Sequence, residues 1–274
     1  MWFNIFMASI LLIRGGGDLA TGVALRLIRS GLRVVVTEIP QPLAVRRTVA
    51  FAEAVYAGEI TVEGITARCI KDPADSFSIL MALGKQQVPV LVDPECLAAK
   101  MLHASVIVDA RMTKQAPEPI GYSPVLYIGL GPGFEAKRNC QAVIETRRSH
   151  MLGRVFWQGS PAPDSGQPDG LLQRVLRAPA DGEFITHAEI GQHLEAGQII
   201  AEVAGQMVTA PFPGLLRGLL HPNLMVKRDL KIGDIDPRDD PQLCQVVSDK
   251  ALSVGGGVLE AILSRPELRS QLWM

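Results

Sequence analysis

The sequence predicts an α/β protein: a parallel sheet flanked by helices, then a small duplicated β barrel-sandwich, then a C-terminal helix. Three observations carry that expectation. Short apolar runs alternate with helix-length segments from residue 10 to residue 146. A glycine-rich turn follows the first of these runs. Residues 177–235 repeat at a fixed offset. The implied domains are 1–160, 170–240 and 241–274, with the Pro/Gly/Ser/Asp-rich stretch 161–168 as the linker.

Each element follows in order. Met1–Ile13 is apolar but has no Lys or Arg before Arg14 and no small-residue cleavage site. Its second half therefore reads as a buried strand, not a signal peptide, with Met7 as a candidate later start. After Ile10–Ile13 come Arg14, Gly15, Gly16, Gly17, Asp18, Leu19 and Ala20, in which Gly15, Gly17 and Ala20 fit G-x-G-x-x-[G/A]. A helix runs from Ala20 to Ser30 and stops at Gly31. The strand Arg33–Thr37 ends at Glu38, 21 positions after Gly17. This is the pattern of a Rossmann-like nucleotide site. One glycine turns the chain, the next lets a phosphate approach, the helix start offers free N–H groups, and the acid holds ribose hydroxyls. The competing reading is a βαβ unit whose glycines serve only packing. Asp18 caps the helix and competes with a phosphate for the same amides.

The alternation continues. Pro42–Ala57 reads as a helix carrying Arg46 and Arg47, either able to grip an anion or simply solvated. Ile60–Val62 and Ile65–Ala67 flank Glu63-Gly64 as a hairpin. A helix over Pro73–Leu83 follows, then strands at Val88–Val92, Val106–Val108 and Val125–Ile128, with Cys140–Thr146 closing the sheet. Open parallel sheets bind ligands beyond the carboxyl ends of their strands. That edge would gather Gly15–Gly17, Glu38, Asp93, Asp109, Arg111 and the loop Gly129, Gly131 and Gly133. Asp93 and Asp109 read equally well as turn or helix caps.

In the C-terminal part, Ala178, Pro179 and Gly182 recur 32 positions later as Ala210, Pro211 and Gly214. The same offset pairs Phe184 with Leu216, Leu194 with Val226 and Ile200 with Ile232. Two such units predict a small β barrel. Over Arg177–Ile235 it resembles the biotinyl/lipoyl carrier fold, but the hairpin Val203–Val208, where a carrier presents its lysine, has none. The resemblance implies a structural or interface module. Beyond it, a helical stretch opens at Ser248, is interrupted by Gly255–Gly257 and resumes over Val258–Leu263. Three helical glycines ask for compensation, from close packing or from a ligand at the backbone.

Composition narrows the function classes. Of 274 residues, 47% are apolar and 20% charged, and the net charge is −1. This excludes a disordered chain and gives no basic footprint for nucleic acid. No run reaches the ~18 apolar residues of a membrane helix. The four cysteines lie at least 27 positions apart, without zinc-ligand spacing, so we expect no metal site and a cytoplasmic location. No Tyr-x-x-x-Lys pair is present, and the five histidines are scattered, so no catalytic residue is assigned.

Several longer motifs then match one family. Ile13–Gly22, Val45–Arg47, Phe51–Val55, Val108–Met112, Gly129–Phe134 and Val143–Thr146 resemble the YqeB-type accessory proteins of the selenium-dependent molybdenum hydroxylase system. Arg147-Arg148-Ser149-His150 departs from the Arg-Gly-His run expected there. The resemblance implies a maturation role for molybdenum hydroxylases and a domain reminiscent of the XdhC-type cofactor chaperones. The expected ligand is a nucleotide or dinucleotide, either NAD(P) or a molybdopterin dinucleotide. Gly15, Gly16, Gly17 and the helix start would hold its phosphates, Glu38 a ribose, and Arg14 or Arg46 further anionic groups. The expected partner is a molybdenum hydroxylase or one of its maturation proteins, and the reading leaves room for a homo-oligomer. The alternatives are an NAD(P)-dependent oxidoreductase and a non-catalytic assembly module that docks an enzyme through the barrel.

Overall fold

The computed structural model describes residues 9–166 and 172–272. Met7 and positions 167 and 168 of the linker lie outside the described residues. The chain forms two compact units. The first comprises Met1–Pro42, Phe51–Asp164 and Val247–Met274; the second comprises Leu43–Ala50 and Ser165–Val246.

The first unit is built on one sheet. Its strands are β1 (Ile10–Arg14), β2 (Arg33–Glu38), β3 (Glu59–Val62), β4 (Ile65–Ile70), β5 (Val88–Val92), β6 (Val106–Asp109), β7 (Leu126–Leu130), β8 (Ala142–Ile144) and β9 (Val155–Phe156). Its helices are α1 (Asp18–Arg29), α2 (Ala54–Ala57), α3 (Ser76–Gly84), α4 (Ala98–Met101), α5 (Asp249–Leu263) and α6 (Pro266–Arg269). The strand order is β3-β4-β5-β2-β1-β6-β7-β8-β9. From β4 to β8 every pairing is parallel, whereas β3 and β9 pair antiparallel at the two edges. The central strands are fully apolar because both of their faces are covered; Leu11, Leu12 and Ile13 are all buried. On one face, Leu12, Val35, Leu91, Ile107 and Val143 meet Ile79 and Phe134 in one core.

The expected Rossmann-like parallel domain is corrected here. The sheet is mixed, and the connections β6–β7 and β7–β8 contain no helix. Instead α5, far along the chain, lies against α1 and touches β8 and β9. Glycines make that approach possible. A Cβ on Gly22 would overlap Ala251, and one on Gly255 would come within 2.8 Å of Arg26 Cγ. A Cβ on Gly257 would overlap the carbonyl of Gly153. The helix therefore runs unbroken through Gly255–Gly257, and packing is what compensates two of the three glycines. Gly256 is exposed, with nothing near it.

The expected helix over Pro42–Ala57 is also not formed. Its segment 43–50 joins the second unit, where Val45 accepts a hydrogen bond from the Leu219 amide at 2.8 Å. Only Ala54–Ala57 is α-helical, with short 3-10 turns at Arg47–Val49 and Phe51–Glu53. A backbone that pairs outward cannot also close i→i−4 bonds.

The second unit holds β10 (Val175–Arg177), β11 (Gly182–Thr186), β12 (His193–Leu194), β13 (Ile199–Val203), β14 (Gln206–Thr209), β15 (Gly214–Leu219), β16 (Leu224–Val226) and β17 (Lys231–Asp236). They form two four-stranded antiparallel sheets, β10-β17-β15-β12 and β14-β13-β11-β16. This corrects the small duplicated β barrel-sandwich of biotinyl/lipoyl type expected from the sequence. The 32-residue offset itself carries β11 onto β15, β12 onto β16 and β13 onto β17. Each sheet takes two long strands from one copy and the short strand of the other. The paired apolar positions, Phe184 with Leu216, Leu194 with Val226 and Ile200 with Ile232, are all buried.

Candidate functional site

The carboxyl ends of β1, β6 and β7 converge on a buried charge cluster. Arg14 ends β1 and stands in register with Asp109, which ends β6. Both are buried, with 4% and 1% of their surface exposed. Asp109 accepts from Arg14 Nη1 at 3.2 Å, from Arg111 Nε at 2.9 Å and Nη2 at 2.8 Å, and from the Tyr127 hydroxyl at 2.9 Å. Arg111 Nη1 also reaches Glu118 at 3.1 Å, a side chain that is 75% exposed. One carboxylate thus serves two guanidinium groups, and among the described residues the only other acid paired with them is at the surface.

The surroundings tune these groups. Burial opposes the charge of Arg111, but hydrogen bonds and attraction from Asp109, then Glu118, outweigh it and raise its pKa. Burial and the Asp109 charge push the Tyr127 hydroxyl upward. Glu118 is held below the usual carboxylate range by a backbone N–H and by Arg111. Cys96, buried beside Arg14, Asp93 and Asp109, has its thiol pushed up to about 11 by desolvation, so it is not a thiolate at neutral pH.

Arg14 is the unusual member. A guanidinium carries five N–H donors. Asp109 and the neighbouring Tyr127 oxygen account for two of them. No other partner lies among the described residues, although the side chain is almost wholly enclosed.

The glycine-rich turn beside it divides into occupied and open positions. Gly15 sits at φ +88°, donates to Thr37 O at 2.8 Å, and has Arg111 Cα where a Cβ would come within 3.3 Å. Gly16 donates to Glu38 Oε2 at 2.7 Å, and a Cβ there would meet the Ala52 amide nitrogen at 2.8 Å. Gly17 caps α1 with φ −63° and has nothing within 4 Å of a Cβ position. Asp18 opens α1, and Ala20 is buried in its first turn.

Glu38 does something other than the expected ribose contact. Its carboxylate accepts from the Gly16 and Ile39 amides, and burial raises its pKa despite those bonds. Gly129, Gly131 and Gly133 are glycines because Phe134, Thr146 Oγ1 and Gln115 O stand where their Cβ atoms would lie. Asp93 is a cap, accepting from the Leu97 and Ala98 amides at 3.0 and 2.8 Å. Arg46 belongs to the second unit, where its Nη2 donates to the carbonyls of Leu243 and Val246, both at 2.9 Å. Tyr127 and Glu118 were not singled out from sequence. Tyr127 is hidden in an apolar strand, and only its hydroxyl could have signalled a buried polar contact. Among the described residues no three His, Cys, Asp or Glu side chains converge as a metal site.

No family model matches the chain. Similar solved structures include a succinylglutamate desuccinylase/aspartoacylase from Rhodobacter sphaeroides. It is 14% identical, covers 85% of this chain and 87% of that one, and has a TM-score of 0.27. An aspartoacylase family protein from Mesorhizobium loti is 10% identical over 83% of this chain and 84% of that one, with a TM-score of 0.25. These neighbours are neither molybdenum hydroxylase maturation factors nor NAD(P) oxidoreductases. With Glu38, Arg46 and the Gly129–Gly133 loop engaged within the protein, the expected nucleotide-binding maturation role, its oxidoreductase alternative and the barrel-docking alternative are set aside. At these TM-scores no activity passes from the neighbours to this chain. A sequence relative is much nearer: the uncharacterized protein YqeB of Escherichia coli (strain K12), 42% identical over 259 residues. The match takes in 93% of this chain and 47% of YqeB, so the chain resembles YqeB along nearly all of its own length and spans about half the length of that relative.

Proposed function

We propose that the chain binds a small anionic molecule, a carboxylate or a phosphate, at the carboxyl ends of β1, β6 and β7. The observation that carries this reading is Arg14: a largely buried guanidinium with donors that no described residue takes, next to a second guanidinium that shares its single buried acid. Buried cations are normally paired and hydrogen-bonded, and an anion supplies both. The open side of Gly17 and the amides that start α1 lie in the same turn and add donors for negative charge. Glu118 is the competing group, an exposed carboxylate that an incoming anion replaces on Arg111. The four free thiols and the absence, among the described residues, of a helix long and apolar enough to cross a membrane support the cytoplasm as the location.

The test is calorimetric titration and thermal unfolding of the whole chain with acetate, citrate and inorganic phosphate, beside Arg14→Met. We expect at least one anion to raise the Tm of the unsubstituted chain and to lose that effect in the variant. Equal responses from both proteins, or none from either, sink the proposal.

A further inference from the structure

The outer part of the first unit's sheet carries a second feature that makes no use of Asp109. A cavity of about 380 Å³ opens between β4 and α3. Arg68, Lys71 and Lys85 line it. Neither lysine's ammonium group has a hydrogen bond or ion pair among the described residues, and Arg68 meets only the exposed Glu59, at 3.4 Å. The two acids at the cavity, Asp72 and Asp75, spend carboxylate oxygens on the amides of Ala74 at 2.9 Å and Ser78 at 3.0 Å. Arg68 thus has Glu59 beside it and the two carboxylates at the cavity have backbone partners, which leaves Lys71 and Lys85 as the cations without an acid partner and with room for an anion.

A second, independent observation points the same way. Gln87, three residues beyond α3, also lines the cavity, and its Oε1 is buried without a donor among the described residues. A buried acceptor left unmade is costly, so such an atom asks for a hydrogen-bond donor from whatever occupies the space. Water can supply one, but water does not answer the cations. One ligand answers both if it carries negative charge at one end and an O–H at the other.

We propose that this cavity binds a small phosphate ester with a free hydroxyl. The phosphate lies among Lys71, Lys85 and Arg68, and the hydroxyl donates to Gln87 Oε1. Phosphate is favoured over a single carboxylate because it carries up to two charges, matching the two unpaired lysines. The site is separate from the one at Arg14 and stands or falls independently of it.

The experiment is calorimetric titration of the whole chain with glycerol 3-phosphate, inorganic phosphate and glycerol. Glycerol 3-phosphate should bind saturably and roughly tenfold more tightly than phosphate, the worth of one net hydrogen bond. The double variant Lys71→Gln/Lys85→Gln should weaken both by about tenfold or more, as expected for lost charge-assisted contacts. Gln87→Leu, which removes an unpaired acceptor, should fold with an unchanged or higher Tm and bind the two phosphates alike. The proposal is overturned if neither phosphate saturates at millimolar concentration. It is equally overturned if the lysine variant binds as the original does, or if Gln87→Leu keeps the preference for the ester.

Discussion

Asp109 and Asp234 are both buried, and each holds two arginines, yet the two clusters differ in what they leave over. Asp234 lies within β17 with no exposed surface. It accepts from Arg174 Nε and Nη2 at 2.9 and 3.1 Å, and from Arg217 Nε at 2.9 Å and Nη2. Arg217 Nη1 goes on to Asp236 at 3.1 Å, which also takes Arg238 Nε and Nη2, each at 2.8 Å. All three nitrogens of Arg217 are therefore spent inside the sheet. Arg14, at the end of a parallel strand, has no such neighbours. The strands on both sides, β2 and β6, end beside it, and the chain beyond turns away through glycines. A strand interior gives an arginine acceptors on both sides; a strand end leaves it facing out of the sheet. The first arrangement holds structure together, and the second is available to a ligand.

The internal repeat sharpens this contrast. Thirty-two residues before Arg217, Asp234 and Asp236 stand Ile185, Glu202 and Ala204. The ion-pair ladder belongs to one copy of the duplicated unit only. It is thus no requirement of the strand pattern itself.

The largest effect should come from breaking the ladder. Arg217→Met leaves two buried carboxylates each short of a partner, and removing one member of a buried pair costs about 3–5 kcal/mol. Denaturant unfolding checks this, and a loss below ~1 kcal/mol would erase the structural reading. Arg14→Met should cost less, on the order of 1–3 kcal/mol, because Asp109 keeps Arg111 and Tyr127. In that variant the loss should appear mainly as lost anion response. If it proves as damaging as Arg217→Met, the two clusters do the same work and the comparison fails.

A pH titration separates the clusters without mutation. Arg238 hydrogen bonds hold Asp236 at a pKa of about 2, against a weaker opposing effect of burial. Asp234 is lowered too, its arginines and Lys231 outweighing desolvation. A carboxylate depressed on folding adds stability above its unfolded pKa of ~4 and loses it as pH falls through the folded value. The ladder's contribution should therefore fade between pH ~4 and about 2. Arg217→Met should flatten the stability profile over that window, and an unaltered profile would assign the acid sensitivity elsewhere.

The smallest effects concern glycines. Gly256→Ala places a methyl in open space on a continuous helix and should stabilise by about 0.5–1 kcal/mol. Gly17→Ser has equal room and a favourable capping side chain, so its stability should change by only a few tenths of a kcal/mol, read by thermal unfolding. Its anion response should nonetheless fall, because the hydroxyl occupies the amides a ligand would use. A Gly17→Ser protein with undiminished response would remove the α1 start from the site.

Local patterns told a good part of this story. The strand Ile10–Ile13 with the glycine turn, the 63–64 hairpin, the strands at 88–92 and 106–108, and the 32-residue repeat are each written in neighbouring residues, and each forms. Apolar runs, turn glycines and repeats act over a few positions, so they can be read without the fold. What could not be read is where distant groups meet. Asp109 was visible as a strand-end acid beside Arg111, but its other two side-chain donors come from 95 residues before it and 18 after. Glu38 stood at the distance of a ribose-binding acid and instead bonds the Gly16 amide, a choice made by side-chain geometry. The Gly129–Gly133 loop looked like a phosphate approach because glycine marks any close contact, and only the packed Phe134 and Gln115 reveal which contact it is.

By itself, then, the sequence determined the alternation of strands and helices, the duplicated unit and the sites of tight turning, because those depend on local periodicity and backbone freedom. The tertiary structure alone decided that β9 closes one edge antiparallel and that α5 rather than a crossover helix covers the sheet. It also decided that one arginine is left with donors to spare, because hydrogen-bond satisfaction is a sum over partners the chain brings together only when it folds.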